Sequence, residues 1–195
     1  MLNDKKILLD FYRTIEKFNS FEYFIALLKA QLAPTSSNLK LGTMLNFKNG
    51  KRPLKIYWQN YKYYLKDIFD LSFFELRKSN DNILVYFYNK KRLAKKLREE
   101  KINKFLKELG YENCQNTYEY LITLRTNFKD RCPDEIGVFL GYPLKDVIDF
   151  KNKDKGECKC IGYWKCFNNA ESAQNAFKRY DNVKKIEIEK IVANA

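Results

Sequence analysis

The sequence predicts an α+β fold: a mixed sheet of four or five strands flanked by six or seven helices. Three observations point there. Apolar residues recur at three- and four-residue spacings in several long segments. Two strand-like runs, LSFFELR and ILVYFY, flank a turn-forming Ser79-Asn80-Asp81-Asn82. The last third alternates short apolar runs with helical patterns. At 195 residues the chain fits a single domain, 1–195, of a size that can bury roughly 70% of its unfolded surface without disulfides or metals. With 15 Phe and 14 Tyr against seven Gly and four Pro, it should be folded nearly end to end.

Leu8, Phe11, Tyr12, Ile15 and Phe18 make one apolar face of a first helix over 4–18. A second runs from about Phe21 to Leu32, where Ala33-Pro34-Thr35-Ser36-Ser37-Asn38 should stop it, since the residue before proline avoids the α region. A short strand is expected near Leu41–Phe47. Pro53 suits a first helical turn, and Ile56, Tyr57, Tyr61, Tyr64, Leu65 and Ile68 continue at helical spacing. The hairpin 71–77 and 83–88 comes next, its unbroken second run suggesting a strand buried on both faces. One long helix is expected from Lys91 to Leu109 with Gly110 as its stop, and Thr117 opens another. Ile136–Leu140 reads as a strand, Gly141-Tyr142-Pro143 as a turn into a helix carrying Leu144, Val147 and Ile148, and Ile161–Phe167 as another strand. Asn168, three residues before Glu171, suggests a capped final helix with Ala173, Ala176, Phe177 and Tyr180 on one face.

The formal net charge is +13, and 29 of the 37 basic residues are Lys. Together with abundant Asn, Ile, Tyr and Phe, this is what A/T-rich codons give, so the excess reads first as surface composition. It is uneven, however: residues 1–50 carry +3, 51–100 carry +7, 101–150 carry −1 and 151–195 carry +4. The densest stretch is NKKRLAKKLR, in which Leu93 and Leu97 face inward and Lys91, Arg92, Lys95 and Lys96 cover much of the rest. Tyr86 and Tyr88 precede it, but no recognised DNA- or RNA-binding motif is present.

Histidine is absent, which removes Ser-His-Asp triads, Cys-His pairs and imidazole metal ligands. No GxxxxGK[ST] phosphate loop or dinucleotide fingerprint appears. The five cysteines are odd in number and suit free thiols in a reducing cytosol. The N-terminal stretch holds Asp4 and Asp10 beside a short apolar run and reads as neither signal peptide nor membrane span. Cys158, Cys160, Cys166 and Cys132 have the ligand chemistry for zinc or an iron–sulfur cluster. On one extended strand, though, Cys160 and Cys166 would lie about 20 Å apart, so they are read as buried or incidental thiols and no metal is assigned.

The stretches CPDEIGVFLGYPLKDVIDF and GYWKCF, with QLAPTSSNLKLG upstream, resemble domain-of-unknown-function family 3793, found mainly in anaerobic Firmicutes, over residues of about 30–180. The family's words are HEIGLFLGYP and GYWKVY. The matching positions are Ala33, Pro34 and Thr35; Glu135, Ile136, Gly137, Phe139, Leu140, Gly141, Tyr142, Pro143, Asp146 and Val147; and Gly162, Tyr163, Trp164 and Lys165. Asp134 stands where the family has His. The resemblance implies a shared fold and brings no reaction or cofactor.

The candidate site is therefore Glu135, Gly141, Tyr142, Trp164 and Lys165, where a strand should meet a helix N-terminus within the segment 134–148, beside the strand 160–167. Two arrangements are open: Glu135 answers Lys165 as an internal salt bridge, or it points elsewhere and leaves a ligand pocket lined by Tyr142 and Trp164. The reading is a cytoplasmic binding or accessory protein, with a small ligand or protein as partner, no cofactor and no catalytic set. Nucleic-acid binding through Lys91, Arg92, Lys95 and Lys96 ranks second, and an enzyme of unfamiliar type third.

Overall fold

The computed structural model describes residues 2–128, 131–152 and 156–195. In chain order the elements are α1 (Leu2–Ile15), α2 (Ser20–Ser36), β1 (Gly42–Lys48), α3 (Leu54–Tyr61), α4 (Leu65–Ile68), β2 (Ser72–Lys78), β3 (Asn82–Tyr88), α5 (Lys90–Leu97), α6 (Glu100–Leu106), α7 (Thr117–Asn127), α8 (Ile136–Leu140), α9 (Leu144–Lys151), β4 (Cys160–Ile161), β5 (Lys165–Cys166) and α10 (Ala170–Ala193). Among the described residues no helix is long and apolar enough to cross a membrane.

The apolar run ILVYFY becomes the middle strand of a three-stranded sheet of order β1-β3-β2, antiparallel throughout. Side chains alternate across a strand, and both faces of β3 are covered. Ile83, Val85 and Phe87 enter one core with α1, α2, α3 and the end of α10, while Leu84, Tyr86 and Tyr88 enter a second core with α5, α6, α7, α8 and α9. The expected hairpin is present, with a bulge in β2 between Glu75 and Arg77.

The expected mixed sheet of four or five strands is corrected to this three-stranded sheet and a separate two-residue ribbon, β4 paired antiparallel with β5. Two strand readings fail, for different reasons. Ile136–Leu140 is a short helix, α8, buried at all five positions; a run buried all round carries no periodicity to distinguish strand from helix. Ile161–Phe167 folds back on itself at Gly162-Tyr163-Trp164, and the ring of Phe177 lies so close to Gly162 that a Cβ there would meet it at 2.4 Å. The expected long helix over 91–109 divides into α5 and α6 and a π-type turn, Lys107–Tyr111, in which Gly110 reaches φ 91°.

Helix α2 passes the expected stop and keeps Pro34 in its last turn. Proline there costs one hydrogen bond, but Leu32, Pro34 and Thr35 are all buried, and packing decides. The Pro34 carbonyl accepts from the Lys40 N–H at 2.8 Å. The cap of α10 is Asn169, one residue after the expected Asn168, because Asn168 is engaged elsewhere.

Candidate functional site

Helix α8 is fixed to the sheet by the Tyr86 hydroxyl, which donates to the Phe139 carbonyl at 2.5 Å. It ends on Gly141, whose φ of 84° is left-handed, while the Tyr142 N–H returns to the Gly137 carbonyl at 2.8 Å. This Schellman closure needs glycine. A Cβ on Gly141 would also meet Leu41 Cβ at 2.7 Å. The turn throws Tyr142 outward, and Pro143 opens α9 as expected.

Asp146 stands in the first turn of α9, 3% exposed. Its Oδ2 accepts from Trp164 Nε1 at 3.0 Å. Its Oδ1 accepts from the Phe167 N–H at 3.0 Å, the Asn168 N–H at 3.1 Å and Asn168 Nδ2 at 2.7 Å. Burial raises its pKa, but these hydrogen bonds to the carboxylate outweigh it and hold the group below the ordinary aspartate value. One side chain thus ties the β4–β5 ribbon to α9. With the ribbon tied, the Trp164 ring stacks on Tyr142, centroids 5.1 Å apart and planes 29° apart, and meets the Phe177 ring edge-on at 4.5 Å.

Beside this stack lies a cavity of about 370 Å³. Ile136, Leu140, Val147 and Phe150 are among its apolar walls, and Asp134, Asp146 and Lys165 are its charged residues. Lys165 is exposed, its ammonium 5.7 Å from the centroid of the Phe150 ring. The Trp164 N–H and the Asp146 carboxylate are already spent on each other, so these walls offer a ligand mainly apolar surface.

Of the five residues expected to form the site, Tyr142, Trp164 and Lys165 line this cavity, and Glu135 and Gly141 do not. Gly141 is pressed against Leu41. Glu135 is 6% exposed and turns the other way, its Oε1 accepting from Asn127 Nδ2 at 2.8 Å and from the Tyr111 hydroxyl at 3.0 Å. Burial and the Glu135 carboxylate push the Tyr111 pKa up. The salt bridge with Lys165 therefore gives way to a buried hydrogen-bonded pair on the far side of α8.

Sequence reading missed the role of Asp146, although the residue lies within the family-like word. A carboxylate in the first turn of a helix reads as a dipole partner, and nothing in spacing tells that it reaches a ribbon 18 to 22 residues later. Met44 of β1 also lines the cavity and was not singled out.

The basic helix is partly committed to the fold. Arg92 Nη1 donates to the Lys40 carbonyl at 3.1 Å, and Lys96 pairs with Glu99 at 2.8 Å, while Lys91 and Lys95 are exposed. All five cysteines are free. Cys160 and Cys166, placed far apart by the single-strand reading, face each other across the ribbon. Among the described residues no three His, Cys, Asp or Glu side chains gather to hold a metal ion.

The model of a family described as "protein of unknown function (DUF3793)" matches residues 28–195. No curated protein matches the chain, and neither does any solved structure.

Proposed function

For a chain that belongs to DUF3793, a family of proteins of unknown function, we propose a binding role: the cavity beside the Tyr142–Trp164 stack receives a small ligand with an apolar body and an acidic end. The observation that carries this reading is the cavity itself, apolar along α8 and α9 and bounded by an exposed Lys165. Apolar walls with a few placed polar groups are the usual form of a ligand site. Lys165 would meet the acidic end at the surface, where an ion pair orients more than it stabilises. Five free thiols agree with a reducing compartment such as the cytoplasm. A nucleic-acid role along α5 ranks below this, since Arg92 and Lys96 already serve the fold. An enzyme of unfamiliar type ranks third.

Anilinonaphthalene sulfonate, an apolar ring system with one anionic group, is a suitable probe. Its fluorescence should rise saturably with the native chain. Met44→Trp, which fills the cavity from β1, should weaken it by about tenfold, or 1.4 kcal/mol. Lys165→Gln should weaken it by about threefold or less. Enhancement that does not saturate, or that Met44→Trp leaves unchanged, overturns the reading.

A further inference from the structure

Three charged side chains line the cavity beside Tyr142 and Trp164, and they stand in different situations. Asp146 is buried, and its two oxygens take four donors from the ribbon, so it has nothing left for a ligand. Asp134, half-buried and two residues ahead of α8, has no lysine or arginine within salt-bridge distance among the described residues. Lys165, exposed at the start of β5, has no carboxylate at that distance either, and its ammonium lies 5.7 Å from the centroid of the Phe150 ring. The ammonium of Lys40 lies 5.9 Å from the centroid of the Tyr142 ring, but Lys40 is 7% exposed and does not line the cavity.

Two carboxylates thus share the lining with one ammonium. A ligand with an acidic end alone would answer Lys165 and meet a like charge at Asp134, an arrangement that costs affinity. A ligand that brings an ammonium as well as a carboxylate answers both and is neutral as a whole. The burial of the walls says where its charges belong. Asp134 and Lys165 lie on the accessible side, whereas Ile136, Leu140 and Val147 are buried. Both ionic groups should therefore sit at one end of the ligand and the apolar body at the other. An α-amino acid is built that way. A dipeptide or an ω-amino acid carries its charges at opposite ends and would press one of them against apolar wall, where an unpaired ion is costly.

We propose that the ligand of this cavity is a free α-amino acid with a large apolar side chain, its ammonium on Asp134 and its carboxylate on Lys165. This assignment rests on the binding role proposed above and names what the cavity selects. A volume of about 370 Å³ suits a ligand of that class.

The test is displacement of anilinonaphthalene sulfonate from the full chain at neutral pH. Four competitors separate the two charges: L-leucine, L-phenylalanine, 3-phenylpropionate, which lacks only the ammonium of phenylalanine, and phenethylamine, which lacks only its carboxylate. The amino acids should displace the probe saturably. 3-Phenylpropionate should bind about tenfold more weakly than L-phenylalanine, because it loses Asp134 as a partner and keeps it as a like charge. Phenethylamine should bind about threefold more weakly, in keeping with the exposure of Lys165. Asp134→Asn removes the charge with little change of shape, and it should bring L-phenylalanine and 3-phenylpropionate to within about twofold of each other. Its own saturable uptake of the probe shows that the cavity is intact. Failure of both amino acids to displace the probe, native chain that takes 3-phenylpropionate as well as L-phenylalanine, or Asp134→Asn that keeps the native preference, overturns the amino-acid assignment and leaves the apolar cavity standing. A probe that does not saturate the native chain, or that Met44→Trp leaves unaffected, overturns the binding role itself and the assignment with it.

Discussion

Asp146 is where a single residue decides most. Its carboxylate takes four donors from the ribbon, and removing it leaves the Trp164 N–H and two backbone N–H groups without an acceptor. Asp146→Ala should cost about 2–4 kcal/mol, read from the urea midpoint, since hydrogen bonds to a buried charge are strong and their loss leaves unpaired groups. The sign of its pH dependence follows from its depressed pKa. The contribution is complete above the unfolded value, near pH 4, and is lost as pH falls through the lower folded value. Asp146→Asn should therefore show a shallower loss of stability than the native chain in urea melts below about pH 4. Equal slopes would mean that the carboxylate is not the group that titrates. Asp146 could be read as a matching position, but its partners could not, because they depend on a fold-back at Gly162 that only the ring of Phe177 explains. Lys40 was hidden for a related reason: a lysine in a loop reads as solvated until Tyr142 and Tyr163 close over it.

At the scale of elements, legibility followed periodicity and punctuation. The β2–β3 hairpin, the helix starts after Pro53 and Pro143, and the halt at Gly110 were readable because alternation, fixed φ and freedom at positive φ are local properties. α8 and the ribbon were not. Five buried residues have no polar face to reveal a period, and a ribbon of two-residue strands held by a distant aspartate leaves no pattern of its own. The ribbon has a chemical corollary. Residues directly opposite in an antiparallel pair have Cα atoms about 4.5–5.5 Å apart, within the range a disulfide accepts. Cys160 and Cys166 hold such positions. Mild oxidation with diamide should join them first among the five thiols, giving a peptide pair linked through these residues on digestion and mass spectrometry. Cys166 is 1% exposed and its thiol pKa is raised by burial, so the half-exposed Cys160 should react first and Cys166 resolve it. A cross-link from Cys160 to Cys158 instead would show that the ribbon register is not the deciding factor.

Among the described residues, the buried apolar side chains form two clusters, and the sheet contributes strand residues to both. The core beneath the Trp164 cavity is built from residues from Leu41 onward, all within the family match. The opposite core takes Phe11, Ile15, Tyr23, Phe24, Ile25 and Ala26 from before residue 28, where the match starts. Deleting residues 2–18 removes α1 and uncovers apolar side chains on α2 and α10. The shortened chain should lose stability, by about 3 kcal/mol or more given two fully buried side chains lost, and should self-associate in analytical ultracentrifugation. Whatever fraction stays monomeric should still take anilinonaphthalene sulfonate at the Trp164 cavity. If the deletion abolishes that binding in folded monomer, the two cores are coupled. The strict alternation of β3 has a consequence for how such a sequence drifts over generations. A change at Ile83, Val85 or Phe87 can be compensated only by residues on one side, and a change at Leu84, Tyr86 or Tyr88 only by residues on the other. Correlated substitutions should therefore fall into two groups with little traffic between them, and a single-residue insertion inside β3 should be the one lesion neither group can repair, because it hands every side chain beyond it to the wrong neighbours at once.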